Sequence, residues 1–133
     1  MAEGRIATGV SPRGYFVIPT MFGKAPRESA LAREEVFGPV FAVLPFRDEA
    51  EVVQLANDTE YGLVAGVWTR DGGRQLRMAR SIRSGQVFVN CFGAGTGIEL
   101  PFGGTGKSGH GREKGIQALH DFTRTKTVVI NRG

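Results

Sequence analysis

One cysteine, Cys91, occurs in the 133 residues of this chain. A lone cysteine excludes an intrachain disulfide and fits a reducing compartment such as the cytoplasm. With only two histidines beside it, the ligands of a structural zinc site are lacking as well. No stretch approaches the roughly 18 apolar residues of a membrane-crossing helix. The opening segment MAEGRIATGVSPRGYF has no continuous apolar run and does not read as a secretory leader. A focused basic stripe is missing too. Arg74, Arg77, Arg80 and Arg83 recur every third residue on an expected helix, which drifts about 60° per step and fans over its surface. No aromatic ladder accompanies them, so nucleic acid is not an expected partner, and without a long apolar run neither is a membrane.

Glycine is what the chain has in excess. Its 20 glycines are about twice the usual share of roughly 7%. Such density marks tight turns and close backbone approaches. The net charge is +4, and thirteen of the 17 basic residues are Arg. That balance suits either a solvated surface or an anionic partner. A chain with 41% hydrophobic residues and this length can form a single domain that buries roughly two thirds of its unfolded surface.

The periodicities alternate. Residues 1–14 read as loop, and Tyr15 to Ile18 as a short strand closed by Pro19. One helical turn is expected near Ser29–Arg33. The run VFAVLPF, 40–46, predicts a strand covered on both faces, limited by Pro45. Asp48 and Glu51 form a capping-box pattern before a helix that presents Ala50, Val53 and Ala56 on one side. Gly62 ends that segment, and a second strand covers Val64–Thr69. Asp71 caps a helix to about Ile82 with Leu76, Ala79 and Ile82 inward, stopped by Gly85. QVFVN, 86–90, is a third strand. A glycine-rich loop over 91–111, a helix over 112–122 and a β-branched strand from Thr125 to Ile130 complete the chain. The pattern predicts an α/β fold with a parallel βαβαβ sheet flanked by helices.

PFGGTGKSGHGRE, 101–113, contains Gly-Lys-Ser after several glycines. A phosphate-binding loop needs Gly, four residues, then Gly-Lys-Ser. Position 101 is Pro, and the preceding strand ends well upstream at Asn90. Gly104, Gly106 and Gly109 supply the letters G-x-G-x-x-G, but no strand leads into them. Neither nucleotide motif has its structural context.

Two separated stretches carry more information together. REEVFGP occupies 33–39, and PFGG followed by SGHGRE occupies 101–113. ANDTEYGLVAGVWTRD lies at 56–71, SGQVFVNC at 84–91 and TRTKTVVI at 123–130. In this order they resemble the C-terminal part of the NAD(P)-dependent aldehyde dehydrogenases, from about GYFVIPT to the end. The resemblance implies that residues 1–124 are the end of a catalytic domain and 125–133 an oligomerisation strand. It implies that Glu35 binds the ribose hydroxyls beside the nicotinamide. An ionised carboxylate is acceptor-only and takes two hydroxyl donors. It implies that Phe37 packs by the nicotinamide. On an extended segment residues two apart point the same way, so both could face one ligand. Alone, Glu35 reads as a solvated acid and Phe37 as a core aromatic.

The resemblance places Phe102 on the wall of an aldehyde channel. Gly103 and Gly104 read equally as a structural anchor. Glu113 matches a glutamate proposed in proton transfer, although a capping or salt-bridge role fits it as well. Asn90 reads as a structural hydrogen-bonder. The family's nucleophile stands in G-Q-x-C and its base before L-G-G, and neither occurs here. Cys91, in VNCFG, reads as a small apolar residue. The chain is therefore expected to be inactive alone and to hold no NAD or NADP tightly. The full-length family uses either cofactor to oxidise an aldehyde substrate. Pairing of Thr125 to Ile130 across subunits implies a homo-oligomer. The alternative is a non-catalytic self-association or partner-binding module.

Overall fold

In the computed structural model of the chain, which describes residues 1–93 and 97–133, two compact units divide after Gln54. The expected glycine-rich loop, 91–111, includes residues 94–96, which lie outside the described ones.

The first unit, Met1–Gln54, holds a sheet of three strands. These are β1 (Ala2–Glu3), β2 (Thr20–Gly23) and β3 (Val40–Val43), in that order, with β1 antiparallel and β3 parallel to β2. The strand expected at Tyr15–Ile18 lies instead just beyond Pro19. Proline has no N–H to give to a ladder, and pairing begins with the Thr20 N–H, which donates to the Pro39 carbonyl (2.9 Å). A single turn, α1 (Ala30–Arg33), links β2 to β3. Strand β3 stops two residues before Pro45. It is not covered on both faces within this chain. Val40 and Ala42 are half-buried, whereas Phe41 and Val43 face solvent. Met21, paired with Phe41 on β2, is exposed too.

Helix α2 (Glu49–Asn57) begins as read. Asp48 Oδ1 accepts from the Glu51 N–H at 2.8 Å. The return bond from Glu51 Oε2 lands on the Arg47 N–H (2.8 Å), one residue earlier than a capping box places it. Ala50 and Ala56 are exposed, and the half-buried apolar positions are Val52, Val53 and Leu55.

The second unit, Leu55–Gly133, is a parallel pair bridged by a helix. Strands β4 (Val64–Val67) and β5 (Gln86–Val89) run in parallel with α3 (Gly72–Ser81) between them in sequence. Asp71 caps α3 by accepting from the Arg74 N–H (2.9 Å). The helix buries Met78, with Gln75, Ala79 and Ile82 half-buried along the same i, i+3, i+4, i+7 stripe. Leu76 falls off that stripe and is exposed. The helix ends at Ser81 with Ile82 as its C-cap, so Gly85 is not its stop. Its reason is contact: a Cβ there would lie 1.6 Å from the Gly103 carbonyl oxygen.

The last helix, α4, covers Gly115–Asp121 rather than 112–122. Glu113 is taken up by an antiparallel bridge to Phe102, and Lys114, at φ 63°, ψ 177°, is the non-helical residue that precedes the first turn. Thr125–Ile130 is exposed and pairs with no strand among the described residues.

Only Ala25, Val67 and Met78 are buried apolar residues among those described. The accessible area is 10788 Å². Two separate compact bodies of these lengths would together expose about 8,200 Å². Phe37, Phe41, Trp68, Phe92, Ile98, Phe122 and Val129 are among the large apolar side chains left in solvent.

Candidate functional site

The first unit carries Glu35 and Phe37 on the loop between α1 and β3. Helix α1 stops at Arg33, and Glu34, extended at φ −108°, ψ 148°, leads the chain out. Both predicted side chains are exposed, Phe37 at 91%. Phe37 also has φ +52°, a left-handed conformation that a bulky side chain adopts only at a cost. The alternation expected of an extended segment therefore does not carry from Glu35 through Phe37. Phe37 is not a core aromatic in this chain. An exposed carboxylate and an exposed ring two residues apart suit a dinucleotide's ribose diol and flat base. A Cβ at neighbouring Gly38 would meet nothing within 4 Å, so the approach is open.

The second unit carries Phe102 and Glu113, which the structure brings together. The Phe102 N–H donates to the Glu113 carbonyl at 2.6 Å, and the Glu113 N–H returns to the Phe102 carbonyl at 2.7 Å. Phe102 is half-buried and the Glu113 side chain is exposed. Lys114 Nζ stands 5.8 Å from the Phe102 ring centroid, within cation–π range. Phe102 and Glu113 line a cleft of about 300 Å³ together with Leu63, His110, Arg112 and Phe122.

Gly-Lys-Ser, 106–108, is one turn of 3-10 helix, not a cradle springing from a strand. Lys107 is ion-paired with Glu60 through its ammonium, and its N–H donates to the Glu60 carbonyl (2.8 Å). Ser108 Oγ accepts from the Gly62 N–H (3.0 Å), and the Gly62 carbonyl accepts from both Gly85 (2.9 Å) and Thr105 (3.0 Å). Gly106, at φ +60°, leaves 2.3 Å between a virtual Cβ and the Glu60 carbonyl oxygen. The stretch is a clasp that fixes the loop to residues 60–62, and the Gly62 carbonyl also holds Gly85 just before β5. The anchor reading of Gly103 and Gly104 holds. A Cβ at Gly103 would lie 2.5 Å from the Gly111 carbonyl oxygen, and one at Gly104 2.6 Å from Ser108 Cβ.

Asn90 is the hydrogen-bonder the sequence implied. Its Oδ1 accepts from the Thr69 N–H and its Nδ2 donates to the Thr69 carbonyl, both at 2.9 Å. It joins the ends of β4 and β5 while holding φ +55°, which Asn tolerates. Cys91 is exposed, not packed as a small apolar residue. Two side chains escaped the sequence reading. Asn57 accepts from the Arg83 N–H (2.7 Å) and donates to the Ser81 carbonyl (2.8 Å), tying the end of α2 to the end of α3. Arg112 organises the glycine loop. Only its place in SGHGRE could have flagged it. Among the described residues no cluster of three metal-binding side chains occurs, and no helix is long and apolar enough to cross a membrane.

The aldehyde dehydrogenase family model matches residues 1–128. Betaine aldehyde dehydrogenase of Brucella anthropi is 47% identical over 121 residues, 91% of this chain and 25% of that protein. A Burkholderia cenocepacia structure assigned to the aldehyde dehydrogenases superposes with a TM-score of 0.90 at 55% identity, over 99% of this chain and 28% of the other. The Mycobacterium tuberculosis aldehyde dehydrogenase complexed with NAD+ gives 0.87 at 35% identity, over 99% and 27%. The chain thus spans about a quarter of the length of the curated relatives it matches. With a family match over nearly all its residues and the same α/β fold in the solved relatives, the chain belongs to the aldehyde dehydrogenase family.

Proposed function

We propose that this chain supplies the C-terminal share of an enzyme that oxidises aldehydes to carboxylic acids with NAD. In this reading Glu35 accepts from the ribose hydroxyls, and Phe37 lies against the nicotinamide. Phe102 walls the aldehyde channel. Glu113 stands at the channel as a proton relay. NAD accepts the hydride when bound; this chain's residues orient it and shape the substrate's path. NAD is favoured over NADP because three of the similar structures are complexes with NAD+. The enzyme works in the cytoplasm, as a homo-oligomer.

The observation that carries the reading is the pair of motifs, REEVFGP and PFGG…SGHGRE, in order within a family match over 1–128. A nucleophile in the family's context is not in these 133 residues. The chain alone therefore gives no aldehyde-dependent NADH. Reproducible turnover that Cys91→Ala abolishes would sink the proposal.

One observation favours a second reading. Val128, Val129 and Ile130 are 67%, 87% and 74% exposed on a β-branched segment. Unpaired strand-forming segments seek a ladder partner. In this reading the chain is a self-association module through Thr125–Ile130. A defined oligomer by light scattering that Val129→Pro dissolves would favour it, and a monodisperse monomer would remove it.

A further inference from the structure

The bridge between Phe102 and Glu113 is a single antiparallel rung. Continuing that register outward places Gly104 opposite Gly111 as the next pair. Backbone bonds do not close this rung. Arg112 Nη1 donates to the Gly104 carbonyl at 3.0 Å and to the Gly111 carbonyl at 2.6 Å. One guanidinium nitrogen carries two N–H groups, so it can serve two facing acceptors at once. The surroundings are emptied for this side chain. A Cβ at Gly103 would lie 3.1 Å from both Cδ and Nη1 of Arg112. The Arg112 N–H in turn donates to Asp121 Oδ2 (2.8 Å), and Gly111, at φ +77°, holds Asp121 Oδ2 3.1 Å from its own virtual Cβ. Arg112 thus closes the neck of the loop and fastens it to α4.

We infer that Arg112 is a positioning residue: it supplies the missing rung that fixes the Phe102 ring and Glu113 at the channel wall. The inference rests on the reading of Phe102 as channel wall. Both Nη1 hydrogens of Arg112 are taken by backbone carbonyls, which holds its guanidinium in the loop. Arg112 acts through Phe102.

The test uses a hybrid of Brucella anthropi betaine aldehyde dehydrogenase in which this chain replaces the matching quarter. Arg112→Lys keeps the charge and loses the planar fork. It is expected to raise the aldehyde KM about tenfold or more, since small misplacements near a reacting substrate are costly, while the NAD KM stays within about twofold. Asp121→Ala, which removes only the anchor, is expected to move the same constant less, and serves if Arg112→Lys fails to fold. An unchanged aldehyde KM in both variants, with Phe102→Ala raising it, overturns the inference and leaves the channel reading standing. An aldehyde KM untouched by Phe102→Ala overturns the channel reading, and the inference with it. Equal losses toward aldehyde and NAD, together with a lower melting midpoint, would show a merely structural role and also overturn it.

Discussion

The loop over 101–113, in the second unit, and the segment over 33–39, in the first, are built in opposite ways. The loop is over-determined by its own chain. Gly62, Gly85, Asn57 and Arg112 lie among a dense set of bonds, and several glycines are there because a Cβ would collide. The segment 33–39 is presented bare, with Glu35 and Phe37 in solvent and Phe37 in a costly conformation. A channel wall can be shaped locally by the polypeptide that forms it. A cofactor contact is finished only by the cofactor and by the surface on its far side. The exposed Phe41 and Met21 of the first unit's sheet belong with this second kind of surface, since parallel strands normally have both faces covered.

The comparison breaks first at Gly85. Gly85→Ala would drive a methyl into the Gly103 carbonyl, and should cost about 3 kcal/mol in equilibrium unfolding followed by circular dichroism. Gly23→Ala meets nothing within 4 Å and should change stability by less than about 0.5 kcal/mol. Equal costs at the two glycines would mean the loop is not built by close approach.

Asn90 sharpens it next. Asn90→Gly keeps the left-handed backbone but deletes both bonds to Thr69, and should cost about 1–2 kcal/mol. Asn90→Ala should cost more, because Ala is also disfavoured at positive φ. Chemical denaturation of the two variants side by side separates the terms.

The helix starts give a smaller, pH-dependent effect. Asp71 is held below the usual carboxylate range first by the Arg74 N–H, and Glu51 first by the Arg47 N–H. A carboxyl with a depressed folded pKa stabilises the fold above its unfolded value. That contribution should be intact above about pH 5 and fade as pH falls below about 4. Melting midpoints of wild type and Asp71→Asn should therefore converge in acid. A gap that persists at low pH would assign the cap to something other than charge.

Lys107→Ala should matter least. Its ion pair with Glu60 is exposed, and such pairs contribute roughly 0–1 kcal/mol. A large loss of nucleotide binding in this variant would restore the phosphate-loop reading that the 3-10 turn argues against.

Local chemistry was legible wherever one side chain acts on its neighbours. Asp48, Asp71 and Asn90 do what their types and places announce. The parallel strands and α3 follow from apolar runs and a 3.6-residue stripe. Leu76 was misplaced because Met78, not Leu76, leads the stripe. Gly85 was read as a stop because a sequence cannot show that Gly103 returns against it. Arg112 stayed invisible for the same reason: its partners Gly104 and Gly111 are glycines, whose carbonyls leave no mark in the letters. The site residues came from motif order, and Glu35 and Phe37 are both exposed.

The central claim is that Glu35 contacts the cofactor while Phe102 does not. The direct measurement is an NAD titration of the hybrid enzyme, followed by nicotinamide-site fluorescence, for wild type, Glu35→Gln and Phe102→Ala. The account predicts that Glu35→Gln weakens NAD binding about tenfold, as expected for losing charged hydrogen bonds, and that Phe102→Ala leaves it unchanged. Undiminished NAD affinity in Glu35→Gln would contradict it.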